Sequence, residues 1–330
     1  MLRASHRFLT LALVCACASA CERAKPIESA HTLLVTDWGN SVVHRIELDG
    51  RYEGTFLAPP TESDKTVSEV LRVKPTGLLL LGGAPKRFWM ISDRGVTEWD
   101  HSGRPLREIF FDTQVLETPT CVVRVGDRIF VGSADKKDLH VFDLEGTHVT
   151  SIGFPHLYHA NDCKLGPDGL LYVGSTLNRG VPGLVSIWDP KNIESDAKPL
   201  DYRIPGDSSG DNTYWVHGLV FDDDGHLLIT ELSRGRLERW DMKANERLDV
   251  LLDNAEGGVY LELERGPDGL VYMAGPPGIY RFDSRAKAAD LANLTPFFDA
   301  AEIERRYGRA FAPSGLTFAP RAALGPSTSP

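Results

Sequence analysis

The hydrophobic and polar positions of this 330-residue chain recur in a three-part unit, clearest from Trp215 to Asp241 (WVHGLVFDDDGHLLITELSRGRLERWD). His217 to Phe221 alternates in strand fashion, Asp223-Asp224-Gly225 supplies a turn that tolerates left-handed backbone, and Leu227 to Thr230 is a second short apolar strand. After a polar elbow at Glu231 to Gly235, Arg236 to Trp240 alternates again as a third strand. Aligned on the turn glycine, Asn161 to Ser175 and Leu261 to Gly275 repeat the hairpin at the same spacing. Pro119 to Ser133 fits without a gap, and Thr76 to Asp93 fits with a short insertion.

A sixth copy is split between the ends of the chain. Ser314 to Phe318 reads as an inner strand with no partner after it, and His31 to Leu48 reads as a second and third strand with no inner strand before it. Together they complete one more unit. The pattern predicts an all-β, six-bladed β-propeller spanning 31–320, closed by pairing the C-terminal strand with the N-terminal blade, so that few sheet edges stay exposed. Helix is expected only in short pieces, such as Ala300 to Arg306.

The N-terminal 20 residues break the pattern. Arg3 and Arg7 precede an apolar run from Phe8 to Ala18, and small residues lead into Cys21. The run is too short for a membrane span and reads as a secretory signal. Ala18-Ser19-Ala20-Cys21 resembles the lipobox of bacterial lipoproteins, which implies lipidation of Cys21, a tether over 21–30 and residence in the bacterial cell envelope, with free secretion as the alternative. Residues 321–330 read as a disordered tail.

The formal net charge is −10 and becomes −12 once Arg3 and Arg7 leave with the signal. No basic face exists to hold nucleic acid, so the expected partners are a small molecule or an envelope protein, with the membrane reached through the lipid alone. Removing the signal and the anchor candidate leaves two cysteines, Cys121 and Cys163. Export permits a disulfide between them, and two buried thiols fit the habits of free cysteine slightly better.

Inner strands of such a ring meet at the axis, which turns the alignment into candidate chemistry. The strand starts bring together Ser314, Thr76, Pro119, Asn161, His217 and Leu261, with Lys74, His159 and Trp215 just before them and Asp162 and Glu262 just after. The elbows add Asp37, Asp93, Ser133, Ser175, Glu231 and Gly275, near Trp38, Arg94 and Asn178. Imidazoles and carboxylates in one cleft are acid–base and metal-ligand candidates. His217, Glu231 and His159 are therefore the catalytic candidates. Asn161, Glu231, His159 and His217 are the candidate ligands of one divalent cation (Ca, Mg or Zn). Asp37, Trp38, Asp93, Arg94, Asn178 and Trp215 are the ligand-binding candidates. His44, His101, His140, His148 and His226 fall on outer strands or turns and are expected at the surface.

Three stretches resemble known propeller families. Val35 to Arg45 (VTDWGNSVVHR) resembles the NHL repeat. His159 to Ser175 (HANDCKLGPDGLLYVGS) resembles the senescence-marker/gluconolactonase family, whose axial metal polarises a lactone carbonyl. There Asn161 matches one of four ligands, while the others fall on His217, Leu261 and near Ser314. Val216 to Leu232 (VHGLVFDDDGHLLITEL) resembles streptogramin lyases, in which a His and a Glu with a metal open a lactone by elimination. His217 and Glu231 match that pair. The resemblances imply metal-assisted lactone or ester opening, with His217 as base. A non-catalytic scaffold binding an envelope protein or glycan is the alternative.

Overall fold

A computed structural model describes residues 30–325, apart from 58–73, 83–85, 94, 111–115, 117, 154–156, 158, 177–182, 204–214, 254–260 and 276. The signal, Cys21, Arg94, Asn178 and the polar insert Pro205 to Thr213 lie outside the described residues. Six antiparallel four-stranded sheets form the ring of a six-bladed β-propeller. Each sheet adds a fourth, outermost strand to the three-part unit read from the sequence.

Blade one is closed by the chain ends, in the order β24 (Pro313–Pro320), β1 (His31–Asp37), β2 (Val42–Glu47) and β3 (Tyr52–Leu57). Leu33 lies opposite Phe318 and Val35 opposite Leu316, so the last strand is the innermost of the first blade. The other inner strands are β4 (Pro75–Gly82), β8 (Pro119–Val125), β12 (Ala160–Leu165), β16 (Val216–Phe221) and β20 (Leu263–Arg265). The expected helix is α2 (Ala301–Tyr307), which follows the four-residue α1 (Ala288–Leu291).

Local chemistry explains why the repeats fold alike. In GPDGLLY and GPDGLVY the Gly169 and Gly269 φ angles are 78° and 81°, a region closed to most side chains. Asp168 and Asp268 then accept the Tyr172 and Tyr272 hydroxyls, each at 2.8 Å. On third strands a tryptophan reaches back to a buried polar residue: Trp99 to Thr97 at 2.9 Å, Trp188 to Ser186 at 2.8 Å and Trp240 to Glu238 at 3.0 Å. The indole N–H is thereby satisfied inside the core. Apolar side chains gather into six cores between neighbouring sheets, such as Phe130, Val141, Val173 and Trp188 between blades three and four.

Three expectations are corrected. His44 and His140 are fully buried rather than at the surface: His44 lies between Asp37 (3.0 Å) and Tyr52 (3.1 Å), and His140 between Asp138 and Ser151 (2.9 Å each). They occupy the same third-strand position as Thr97, Ser186 and Glu238, a polar site inside each blade. Residues 321–325, expected in a disordered tail, are structured. Arg321–Ala323 is a 3-10 turn, Arg321 pairs with Glu47 and Glu53, and Gly325 bonds to the His101 carbonyl at 2.6 Å. Finally, Cys121 and Cys163 are joined in a disulfide, with Cα atoms 5.8 Å apart.

Candidate site at the channel mouth

Every inner strand carries an irregularity at its start. The ladder register skips Ser314, Thr76, Thr120 and Asn161, and on β16 it skips His217 with Gly218. On β20, Leu261 and Glu262 both bond to Ala274 while Leu263 pairs with Met273, as Cys163 pairs with Val173 in blade four, which makes Leu261 the sixth extra residue. A bulge frees a side chain from the alternation of the strand and re-aims it. Here it aims at the next blade. Ser314 donates to the Pro75 carbonyl (2.6 Å), Thr76 to Pro119 (2.8 Å), Thr120 to Ala160, Asn161 to Val216 (2.6 Å) and His217 to Leu261 (3.0 Å). The ring predicted at the axis is therefore a belt of hydrogen bonds between blades. On blade three the member is Thr120, one residue beyond the predicted Pro119, and on blade six the position falls on the predicted Leu261, whose side chain has no donor.

The acidic elbows serve a second structural circuit. Asp37, Asp93 and Glu231 each accept the backbone N–H two residues before the bulge of their own blade: Ala312 (3.2 Å), Lys74 (2.9 Å) and Trp215 (3.0 Å). Asp37 also holds Asn40 and His44. Glu231, 1% exposed, takes Ser233 N–H (3.0 Å) and the Ser233 hydroxyl on Oε1 and Arg234 N–H (2.9 Å) on Oε2. Both of its oxygens are committed to its own turn.

At the mouth itself stand His159, Trp215 and Trp38, all exposed, the tryptophans by 45% and 43%. The Lys74 ammonium lies 3.5 Å from the centre of the Trp38 ring, a cation–π contact. Because a carbonyl only accepts, the His217 Nδ1 in contact with Leu261 carries the proton, and Nε2 is left as the basic atom. Burial lowers the His217 pKa, the Leu261 bond opposes this, and the charge of nearby His159 lowers it further. His217 is thus a neutral imidazole of fixed tautomer beside a second imidazole and an exposed indole.

The donors do not fit the Ca or Mg form of the expected divalent-cation site. Glu231 would have to release four donors, and Asn161 spends its Nδ2 on Val216 and Thr176. Asp162 accepts the N–H groups of Leu219 (2.8 Å) and Cys163 (2.7 Å). What remains is an amide oxygen and the nitrogens of His159 and His217, a set without the carboxylate that Ca or Mg needs and of the donor type that Zn takes. Among the described residues the group with ligand spacing is Asp222, Asp224 and His226 at the opposite end of blade five, where Arg239 lies 3.2 Å from Asp222.

Beneath the belt the inner strands line a half-open chamber of about 590 Å³. Its wall includes Asp162, Lys164, Glu262 and Glu264. Burial, the largest influence, pushes the Asp162 carboxyl up to about 6 against the pull of Lys164, and raises Glu262 well above the usual range.

Comparison with known proteins bears on the scaffold. No family model and no curated protein matches the chain. A chain from a nidogen/laminin complex superposes with a TM-score of 0.63 at 15% identity, covering 88% of this chain and 98% of that one. A Bacteroides caccae protein of unknown function gives 0.60 at 13% identity, covering 87% and 98%. This likeness is one of fold. It extends over nearly the whole described ring, and function has to be argued from the residues at its axis.

Proposed function

We propose that the protein is an exported propeller that binds a small polar molecule at the mouth of its channel, between Trp38 and Trp215, with His217 Nε2 as the central acceptor. The observation that carries this reading is the His217 side chain, held in one tautomer by Leu261, neutral, and set beside His159 and exposed Trp215. Neutral imidazole of fixed tautomer is the state a general base requires. Opening of a lactone or ester by water follows: Nε2 takes the proton as the water oxygen bonds to the carbonyl carbon, and returns it to the departing alkoxide. The disulfide and the leader support export, and Cys21 is the proposed lipid anchor.

The two exposed indoles provide the assay. Tryptophan fluorescence of the mature protein, titrated with a panel of lactones, esters and neutral sugars, is expected to report a saturable ligand. His159→Ala and Trp215→Ala, which spare the belt, are expected to weaken it about tenfold. Saturation unchanged in both variants would reject the mouth as the site. Hydrolysis of the bound lactone or ester, lost in His217→Gln with the fold intact, is the test of catalysis. Exposed tryptophans are also frequent anchors of protein interfaces, which favours a scaffold for an envelope partner as the second reading.

A further inference from the structure

The chamber below the mouth has a two-sided wall that the proposed function does not use. Its volume of about 590 Å³ falls within the range of small-molecule sites, roughly 300–1,000 Å³. One side is apolar, built from Leu78 and Leu80 of β4, Val122 of β8 and Phe318 of β24. The other side is ionic. The Lys164 ammonium lies 2.8 Å from Glu264, 3.5 Å from Glu262 and 3.7 Å from Asp162. Three carboxylates share one ammonium. The two arginines of the lining are engaged elsewhere, Arg265 with Asp223 and Arg124 with the Leu81 and Gly126 carbonyls.

Glu262 follows the bulge of its blade directly, as Asp162 does in blade four, so the two acids are counterparts. The one described partner of Glu262 is Lys164, through Oε1 at the hydrogen-bond limit of 3.5 Å. Oε2 has no hydrogen-bond or ion-pair partner among the described residues, although Glu262 is only 9% exposed and lines the chamber. A carboxyl oxygen facing the chamber can take a donor, and a cationic donor would hold Glu262 in the ionised form that burial alone opposes. Leu165, 42% exposed and part of the same lining, marks where the chamber meets solvent at the far ends of the inner strands.

We propose that the chamber binds a small organic ammonium, its N–H groups donated to Glu262 with Asp162 beside it, and its apolar body laid on Leu78, Leu80, Val122 and Phe318. A bare metal ion would use the acids and leave the apolar wall unoccupied; a neutral apolar molecule would do the reverse. This site is separate from the mouth, and it stands or falls independently of the reading given above.

Benzylamine and benzyl alcohol, alike in shape and different in charge, make the test. Calorimetric titration of the mature protein at neutral pH is expected to give binding of the amine at least about tenfold tighter than of the alcohol. Glu262→Gln is expected to lower amine affinity about tenfold and leave the alcohol unchanged. Trp215→Ala, at the mouth, is expected to change neither. Should Glu262→Gln fail to fold, Leu80→Trp fills the chamber from its apolar side and is expected to abolish amine binding. Equal affinity for the two probes, no heat from the amine at millimolar concentration, or amine binding lost in Trp215→Ala and kept in Glu262→Gln or Leu80→Trp would each overturn the proposal.

Discussion

Breaking the Cys121–Cys163 bond is expected to cost the fold about 4 kcal/mol. The bond joins β8 to β12 across adjacent blades and closes a loop of 42 residues. Chain-entropy closure for a loop of that length gives about 13 cal/mol/K, or about 4 kcal/mol at 25 °C. The site is built to hold it: a Cβ on Gly132 would lie 2.6 Å from the Cys121 sulfur and 3.0 Å from the Ala160 Cβ, so only glycine leaves room for the bridge. Urea unfolding of the oxidised protein, of the protein under a phosphine reductant, and of Cys121→Ala/Cys163→Ala measures the effect. The last two are expected to unfold together, below the first by that free energy, and Cys121→Ala alone should match the double variant. Coincident curves for oxidised and reduced protein would refute the argument, as would alkylation of both thiols in the native protein without reductant.

Two further outcomes follow from the belt and the buried histidines. Thr76→Val keeps the shape of the side chain and removes the donor to Pro119, so the unfolding free energy from urea titration is expected to fall by about 1 kcal/mol, while Thr76→Ser should hold it. An unchanged Thr76→Val would mean the belt contributes nothing there. For His44, burial lowers the pKa below 6.5 despite the opposing bond to Asp37. Below pH 6.5 the unfolded chain binds the proton more readily than the folded one, so this contribution to stability is full above 6.5 and lost on acidification. Wild type is expected to lose stability more steeply than His44→Gln between pH ~7.5 and ~5, and parallel slopes would sink the assignment. Asp162, raised to about 6 by burial, opposes the trend equally in both proteins and cancels from the difference.

The blade boundaries and the closure of the ring were legible because turn glycines and strand alternation recur with fixed spacing. The role of the axial residues was not. Alignment on the turn glycine placed Pro119 in the ring where the fold uses Thr120, because the blade-three hairpin has one residue fewer between its bulge and the paired Ser133 than blade four has between Asn161 and Ser175. Glu231 looked like a metal ligand by type and spacing, yet its oxygens tie down Trp215, Ser233 and Arg234. The disulfide was not legible for another reason: the alignment puts Cys121 and Cys163 on neighbouring inner strands, and only the fold brings their Cα atoms to 5.8 Å. The burial of His44 and His140 on third strands would have needed the recurring Thr97, Ser186 and Glu238 position to be recognised first.

Closure through the last strand has a consequence for biosynthesis. Ser314 bonds to Thr36, 278 residues away in the chain. A ribosome adding roughly 5–20 residues per second needs about 15 to 55 s to make that distance. Throughout that interval β1 keeps a naked edge, and the ring cannot lock blade by blade from the N-terminus. Whatever holds the growing or translocating polypeptide must shield His31–Asp37 until Pro313–Pro320 arrives, and a chain that terminates early is left with a strand edge open to any neighbour.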